Sequence, residues 1–269
     1  MTALRRVFDK TRAEGRAALV PFLVAGDPDL DSTVEYAAAL VEGGADVLEL
    51  GVPFSDPLAD GPVIQRATER ALAEGVTTTD VLACAARIRD RTGVPIVIMS
   101  YLNPLLTYGW ERFVTDATAA GVVGAILTDV PPEEAAPFLP AAAVGGLGTV
   151  FLVAPTSGEA RILEAARVTT GFLYCVSRLG VTGARQDLSD AFRPVLEAVR
   201  RVSDIPIGVG FGISTPDHAR RAAELADGVI IGSRLVAALE AAPDRATAVT
   251  TLRDQARAFR KAMDEVRRA

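Results

Sequence analysis

Short apolar segments alternate with amphipathic segments along the whole chain. Eight of the apolar runs are nearly continuous and rich in β-branched residues, which is typical of strands in a parallel sheet that helices cover. The predicted strands are residues 19–24, 47–52, 96–100, 124–128, 149–153, 172–177, 207–210 and 228–231. The predicted helices between them are residues 31–42, 79–91, 111–120, 158–166, 188–202 and 216–225.

The alternation of strand and helix predicts an α/β fold. Eight such units in about 250 residues match a closed (β/α)8 barrel, the TIM barrel, with extra helical elements. No linker or change of composition divides the chain, so residues 1–269 are expected to form a single domain. The longest connection follows the second strand, and its surplus is residues 53–75, which we interpret as an ordered, functional loop.

Composition narrows the range of functions. The formal net charge of −6 argues against nucleic-acid binding, which favours a basic face. The two cysteines, Cys84 and Cys175, lie far apart in apolar surroundings, so a disulfide framework and a zinc site are not expected. The single histidine, His218, is predicted on a helix surface. The two cysteines without a disulfide framework fit a cytoplasmic location. The uncharged run 135–158 is interrupted by proline and glycine, so no membrane span is predicted.

A glutamate interrupts the second apolar strand. Side chains alternate between the two faces of a strand, so Glu49 faces the barrel interior if Leu48 and Leu50 face the helices. A buried carboxylate must be hydrogen-bonded, paired or functional. The alternatives for Glu49 are therefore a structural ion pair and a catalytic group.

Two aspartates follow on the long loop. Asp56 precedes a proline and is interpreted mainly as a turn residue. Asp60 precedes Gly61, Pro62 and a helical pattern, so it could cap that helix. Together with Glu49, however, Asp60 would form a pair of carboxylates that divide acid and base work.

Glycine-rich turns follow the sixth, seventh and eighth predicted strands, at residues 177–183, 208–214 and 232–233. Barrel enzymes often bind phosphate with the loops after strands seven and eight and a helix N-terminus. Glycine lets backbone N–H groups approach an anion closely. Although any one turn can be simple strand-exit geometry, the set predicts a small phosphorylated substrate.

Several segments, in this order along the chain, resemble the tryptophan synthase alpha chain family. The most specific is residues 48–62, LELGVPFSDPLADGP. The others are PFLVAGDP at 21–28, NP at 103–104, YG at 108–109, DVP at 129–131, SRLGVTG at 177–183, GFGIS at 210–214 and GS at 232–233.

The resemblance implies cleavage of indole-3-glycerol phosphate to indole and glyceraldehyde 3-phosphate, a retro-aldol lyase reaction without metal or organic cofactor. Glu49 would be the general acid–base that takes the proton of the hydroxyl next to the indole. Asp60 would stabilise positive charge on the indole nitrogen and accept its proton. The other implied substrate-binding residues are Phe22, Tyr101, Tyr174 and Phe211 around the indole, Thr182 and Gly183 on a closing loop, and Gly183, Gly212, Gly232 and Ser233 at the phosphate.

The resemblance also implies a partner, a pyridoxal-phosphate tryptophan synthase β chain in an αββα heterotetramer. Asp56 and residues 103–104 would face that chain. The sequence departs from the family pattern at Leu102, where a tyrosine is common, and at Arg234, where a small residue is common. Arg234 would either reach the phosphate or face solvent.

Three functional hypotheses remain from the sequence. The first is the alpha subunit of tryptophan synthase. The second is a stand-alone lyase of the same chemistry that releases indole. The third is a degenerate barrel that binds a phosphosugar and only activates a partner, and the presence of both Glu49 and Asp60 argues against it.

Overall fold

The structure is a computed structural model, and it describes residues 1–176, 188–210 and 212–266. Nine parallel strands occur in these ranges, and they form one sheet in the order β5-β4-β3-β2-β1-β9-β8-β7-β6. The strands are β1 (Ala18–Val24), β2 (Leu48–Gly51), β3 (Ile96–Ser100), β4 (Val122–Leu127), β5 (Gly148–Val150), β6 (Leu152–Val153), β7 (Leu173–Val176), β8 (Ile207–Gly210) and β9 (Gly228–Ile231). The two ends of the sheet are adjacent in the chain, so the sheet forms a barrel.

The predicted fifth strand, residues 149–153, is divided at Phe151 into β5 and β6. β5 pairs with β4, whereas β6 pairs with β7. The backbone N–H of Tyr174 donates to the carbonyl of Phe151 at 2.9 Å, at the point where the strand changes its neighbour. The prediction of one continuous strand was wrong in this detail, but all eight predicted positions hold strands and the predicted (β/α)8 barrel is confirmed.

Twelve α-helices and one 3-10 helix (Pro132–Glu134) lie in the described ranges. The α-helices are α1 (Ala3–Ala13), α2 (Leu30–Glu42), α3 (Pro62–Ala73), α4 (Thr78–Thr92), α5 (Leu102–Tyr108), α6 (Trp110–Ala119), α7 (Leu139–Gly145), α8 (Glu159–Val168), α9 (Leu188–Val202), α10 (Pro216–Leu225), α11 (Ser233–Glu240) and α12 (Arg245–Asp264). Each predicted helix is present with its ends within two residues of the prediction. None of the described helices is long and apolar enough to cross a membrane.

The second half of the long connection after β2 is a helix, as the helical pattern after Gly61 and Pro62 indicated. Residues 62–73 of the predicted loop form α3, with Gly61 at the N-cap and Pro62 in the first turn, where the missing N–H of proline is tolerated. Ala67 and Ala71, four residues apart, are buried on one face of this helix. The helix therefore packs on the barrel and holds the loop that precedes it.

Helix α1 closes the N-terminal end of the barrel. Leu4 and Phe8 are fully buried in the inner cluster of side chains, and Phe8 stacks on Phe172 with ring centroids 4.8 Å apart. At Gly228, where β9 begins, an added Cβ would lie 2.6 Å from the Phe8 ring, so the absence of a side chain makes room for this plug. Because this end is filled, the interior opens toward the carboxyl ends of the strands.

Candidate active site

A pocket lies at the carboxyl ends of the strands, the end at which barrel enzymes place their active sites. Its walls come from β1, β2, β3, β7 and β9, the loop before α3, and the turns after β8 and β9. The lining residues are Phe22, Glu49, Asp60, Gly61, Ile64, Met99, Tyr174, Gly212, Ile213, Ile230, Gly232 and Ser233. Thr182, Gly183 and Phe211, which the sequence also placed in the site, lie outside the described residues.

Glu49 projects into the barrel from β2. Leu48 and Leu50 belong to the outer core that packs against the helices, so Glu49 faces inward as the alternation predicted. Its side chain is 1% exposed, and its Oε2 accepts no hydrogen bond from the described residues. No described cation pairs with this carboxyl group, so the structural ion pair that the sequence left open receives no support.

Asp60 lies just before α3 and reaches the same pocket. The N-cap residue of α3 is Gly61, without a side-chain cap, so Asp60 does not play the capping role that its sequence position allowed. The hydroxyl of Tyr101 donates to Asp60 Oδ2 at 3.1 Å and accepts from the backbone N–H of Ala59 at 2.9 Å. Tyr101 thus holds the loop and the carboxylate together.

The two carboxyl groups have different protonation states near neutral pH. Burial first, and then the nearby Asp60 carboxylate, raise the pKa of Glu49 from 4.5 to about 8. Burial raises the pKa of Asp60 from 3.8 to about 6, against the lowering effect of the Tyr101 hydrogen bond. At pH 7, therefore, Glu49 is mainly protonated and Asp60 mainly ionised, which is the division found in acid–base pairs.

Two aromatic side chains line the site beside these carboxyl groups. Tyr174 on β7 is buried, and burial together with the negative charge of Glu49 and Asp60 raises the pKa of its hydroxyl. An added Cβ at Gly210 would clash with the Tyr174 hydroxyl, so a glycine in β8 makes space for this ring. Phe22 on β1 lies next to Glu49 in the strand register. Tyr101 belongs to an adjoining small cavity rather than to the main wall of the pocket.

Backbone rather than charged side chains forms the pocket wall near β8 and β9. Gly212 has a φ of +79°, a left-handed conformation that favours glycine. Gly232 is the N-cap of α11 and Ser233 is its first residue, so the N–H groups and the dipole of this helix start at the pocket. Arg234 is exposed and does not line the pocket, which favours the solvent-facing alternative. The arrangement suits an anionic group such as a phosphate.

Sequence reasoning missed several apolar lining residues. Met99 follows Val97 by two residues on β3, and Val97 faces the interior. Because side chains alternate along a strand, the sequence could have identified Met99 as an inward-facing residue. Ile64 lies in the first turn of α3, whose position over the barrel the sequence did not indicate. Ile213 and Ile230 complete the apolar part of the wall.

The remaining residues of possible chemical interest lie elsewhere. Cys84 and Cys175 are buried free thiols, and burial raises the pKa of each, to about 11 and about 12. His218 lies in the first turns of α10, where its backbone N–H donates to Thr215 Oγ1 at 3.2 Å. Among the residues that the structure describes, no group of three or more His, Cys, Asp or Glu could hold a metal ion.

Comparison with known proteins gives one consistent family. The family model for the tryptophan synthase alpha chain matches residues 8–264. The tryptophan synthase alpha chain of Solibacter usitatus is 50% identical over 240 residues, which are 89% of this chain and 90% of the relative. That of Geobacter sulfurreducens is 48% identical over 260 residues, 94% of this chain and 98% of the relative.

Solved structures agree with these sequence matches. A Mycobacterium tuberculosis tryptophan synthase chain has a TM-score of 0.89 at 42% identity, with 97% of this chain and 98% of that chain covered. The tryptophan synthase alpha subunit of Legionella pneumophila has a TM-score of 0.89 at 38% identity, covering 99% and 100%.

Proposed function

We propose that this chain, which belongs to the tryptophan synthase alpha chain family, cleaves indole-3-glycerol phosphate to indole and glyceraldehyde 3-phosphate. The family places the chain in tryptophan biosynthesis with a lyase role. The observation that carries the specific reaction is the pair of carboxyl groups in one pocket, with Glu49 protonated and Asp60 ionised near pH 7.

The first step is protonation of the indole ring. Protonated Glu49 gives its proton to the ring carbon that carries the glycerol side chain, and positive charge develops on the ring nitrogen. The Asp60 carboxylate stabilises that charge and accepts the nitrogen-bound hydrogen, in a pocket where little water screens the interaction. Tyr101 holds Asp60 in the orientation that this contact requires.

The second step breaks the carbon–carbon bond. The Glu49 carboxylate formed in the first step takes the proton of the hydroxyl next to the ring. The electrons of the O–H bond form the carbonyl group of glyceraldehyde 3-phosphate, and the electrons of the broken C–C bond return to the ring. Asp60 returns the proton to the ring nitrogen, indole leaves, and both Glu49 and Asp60 are in the protonation states of the start.

The phosphate of the substrate occupies the turns after β8 and β9. Gly212, Gly232 and Ser233 line the pocket there, and the N-terminus of α11 favours an anion. The carboxyl groups belong to the β2 and β3 side of the barrel, so the substrate spans from that side to the β8 and β9 side.

The partner in this proposal is a tryptophan synthase β chain, in an αββα assembly that takes up the indole. Two apolar side chains near the predicted partner-facing segments support it. Leu58, close to Asp56, is 93% exposed, and Leu106, close to residues 103–104, is 51% exposed. An interface with a partner would cover these exposed apolar side chains.

The experiment is an indole-release assay with the purified chain and indole-3-glycerol phosphate. Glu49→Gln and Asp60→Asn are each expected to lower kcat roughly 100- to 10,000-fold, because each removes a proton-transferring group and keeps its shape. Glu197→Gln, the same kind of change on the exposed face of α9, is the matched control. Absence of indole release by the native chain, or near-native turnover by either site variant, would refute the proposal.

A further inference from the structure

The two helices that begin at the candidate site are connected by ion pairs between two arginines along α3 and the last residue of α11. α3 begins directly after Asp60 and Gly61, and α11 begins directly after Gly232. Their apolar contact is a cluster of Ala67 and Ala71 of α3, Val236 of α11 and two β1 side chains, against which Val63 and Ile64 of α3 also pack. The ion pairs add a directional link to this apolar contact.

Glu240, the last residue of α11, accepts hydrogen bonds from both arginines of α3. Arg66 donates to its two carboxylate oxygens at 2.7 Å each, and Arg70 donates from Nη1 at 3.2 Å. The arginines hold the pKa of Glu240 down at about 2, so the carboxylate is charged at any working pH. The contact of Arg66 with both carboxylate oxygens fixes the direction as well as the distance between the two side chains.

Arg70 also joins α3 to the loop after β1. Its Nε and Nη2 donate to the two oxygens of Asp27 at 2.7 and 2.9 Å, and Asp27 is only 5% exposed. Most exposed ion pairs stabilise little, because water and salt screen them and long side chains lose freedom. The Asp27–Arg70 pair differs, since one partner is buried and the geometry is bidentate.

We propose that Arg70 is a positioning residue for catalysis, which fixes α3 against α11 through Glu240 and against the β1 loop through Asp27. This rests on the function proposed above, in which Asp60 holds the indole and the start of α11 holds the phosphate. One substrate joins both ends, so the spacing of the helices sets the length of the site. Misplacement of reacting groups by about 1 Å can lower a rate on the order of 100-fold.

The distinguishing measurement compares a joined ligand with its two separate parts. The joined ligand is an inert analogue in which a propyl chain links indole to phosphate, and the parts are indole and inorganic phosphate. In Arg70→Ala, the affinity for each part is expected to stay within about twofold of the native value. The affinity for the joined analogue, and kcat/KM for indole-3-glycerol phosphate, are expected to fall at least about tenfold.

Two further variants keep the test decisive. Arg70→Ala leaves Asp27 buried without its partner and could reduce folding. Glu240→Gln removes the charge from the link between the helices and leaves the Asp27–Arg70 pair in place. It should therefore also lower the affinity for the joined analogue more than the affinities for indole and inorganic phosphate, but by a smaller factor than Arg70→Ala. Arg70→Lys, which keeps the charge without the planar fork, should recover part of the loss.

The control is Arg16→Ala. Arg16 makes a similar two-pronged contact with Asp46, at 2.9 and 2.8 Å, at the opposite end of the barrel just before β2. The Arg16→Ala variant should therefore be less stable than the native chain but have the same kcat/KM. Equal loss of affinity for the joined ligand and its parts, or unchanged kcat/KM in both Arg70→Ala and Glu240→Gln, would overturn the positioning role. Inactivity of the native chain would instead count against the proposed function.

Discussion

The raised pKa of Glu49 should appear in the stability of the fold, independently of any substrate. In the folded chain Glu49 is 1% exposed and its pKa is about 8, whereas an exposed glutamate has a pKa of 4.5. Between these two pH values the folded state holds a proton that the unfolded state has released. The free energy of unfolding therefore falls as the pH rises through that window and levels off above pH 8.

The magnitude follows from the two pKa values. Each tenfold difference in proton affinity is roughly 1.4 kcal/mol, so the change from 4.5 to about 8 amounts to about 5 kcal/mol. Glu49→Gln removes the titrating group with almost no change of shape. The variant should match the native chain near pH 4.5 and exceed its stability by as much as about 5 kcal/mol at pH 8.

The assay is urea unfolding of both proteins at several pH values between 4.5 and 9. The difference between the two free energies of unfolding reports the titration of Glu49 together with its coupling to Asp60, because the remaining groups titrate in both proteins. Glu197→Gln, on the exposed face of α9, should give a difference close to zero throughout. A flat difference between native chain and Glu49→Gln would refute the raised pKa and with it the protonated state at pH 7.

Three other outcomes are expected. Tyr101→Phe removes a hydrogen bond that lowers the pKa of Asp60, so the acid limb of the indole-release rate should move to higher pH; an unmoved limb would contradict this. Gly232→Val should weaken binding of the phosphorylated substrate roughly 10- to 100-fold and leave the dephosphorylated substrate unaffected, as binding measurements can show; equal losses would contradict the phosphate site. A cognate β chain should accelerate indole release, and Leu58→Asp should reduce that acceleration, whereas an unaffected acceleration would place the interface elsewhere.

Hydrophobic patterning determined most of the fold in advance. Strands in a barrel are buried on both faces, so their continuous apolar runs stand out, and three of them, 96–100, 207–210 and 228–231, were predicted to the residue. The division at Phe151 could not be predicted, because it depends on which neighbouring strand each half meets. Helix α3 agrees with the helical pattern that the sequence shows after Gly61 and Pro62, although the whole segment 53–75 was interpreted as a loop.

The candidate site was less accessible to sequence reasoning than the fold. Glu49 was identifiable because a charged residue in a buried strand violates the pattern. The Tyr101–Asp60 hydrogen bond joins residues 41 positions apart, and nothing local in the sequence indicates it. The ion pair of Arg66 and Glu240 spans 174 positions, so it emerges only when α3 and α11 pack together.

The most direct test of the account is the pH dependence of kcat/KM for indole release from indole-3-glycerol phosphate by the native chain, because kcat/KM reports the pKa values of the free enzyme. If protonated Glu49 starts the reaction and ionised Asp60 supports it, kcat/KM should rise with a midpoint near pH 6 and fall with a midpoint near pH 8. The substrate phosphate also titrates near pH 6, so the alkaline limb is the decisive one. A kcat/KM that stays constant or keeps rising from pH 7 to pH 9 would contradict the central role assigned to protonated Glu49.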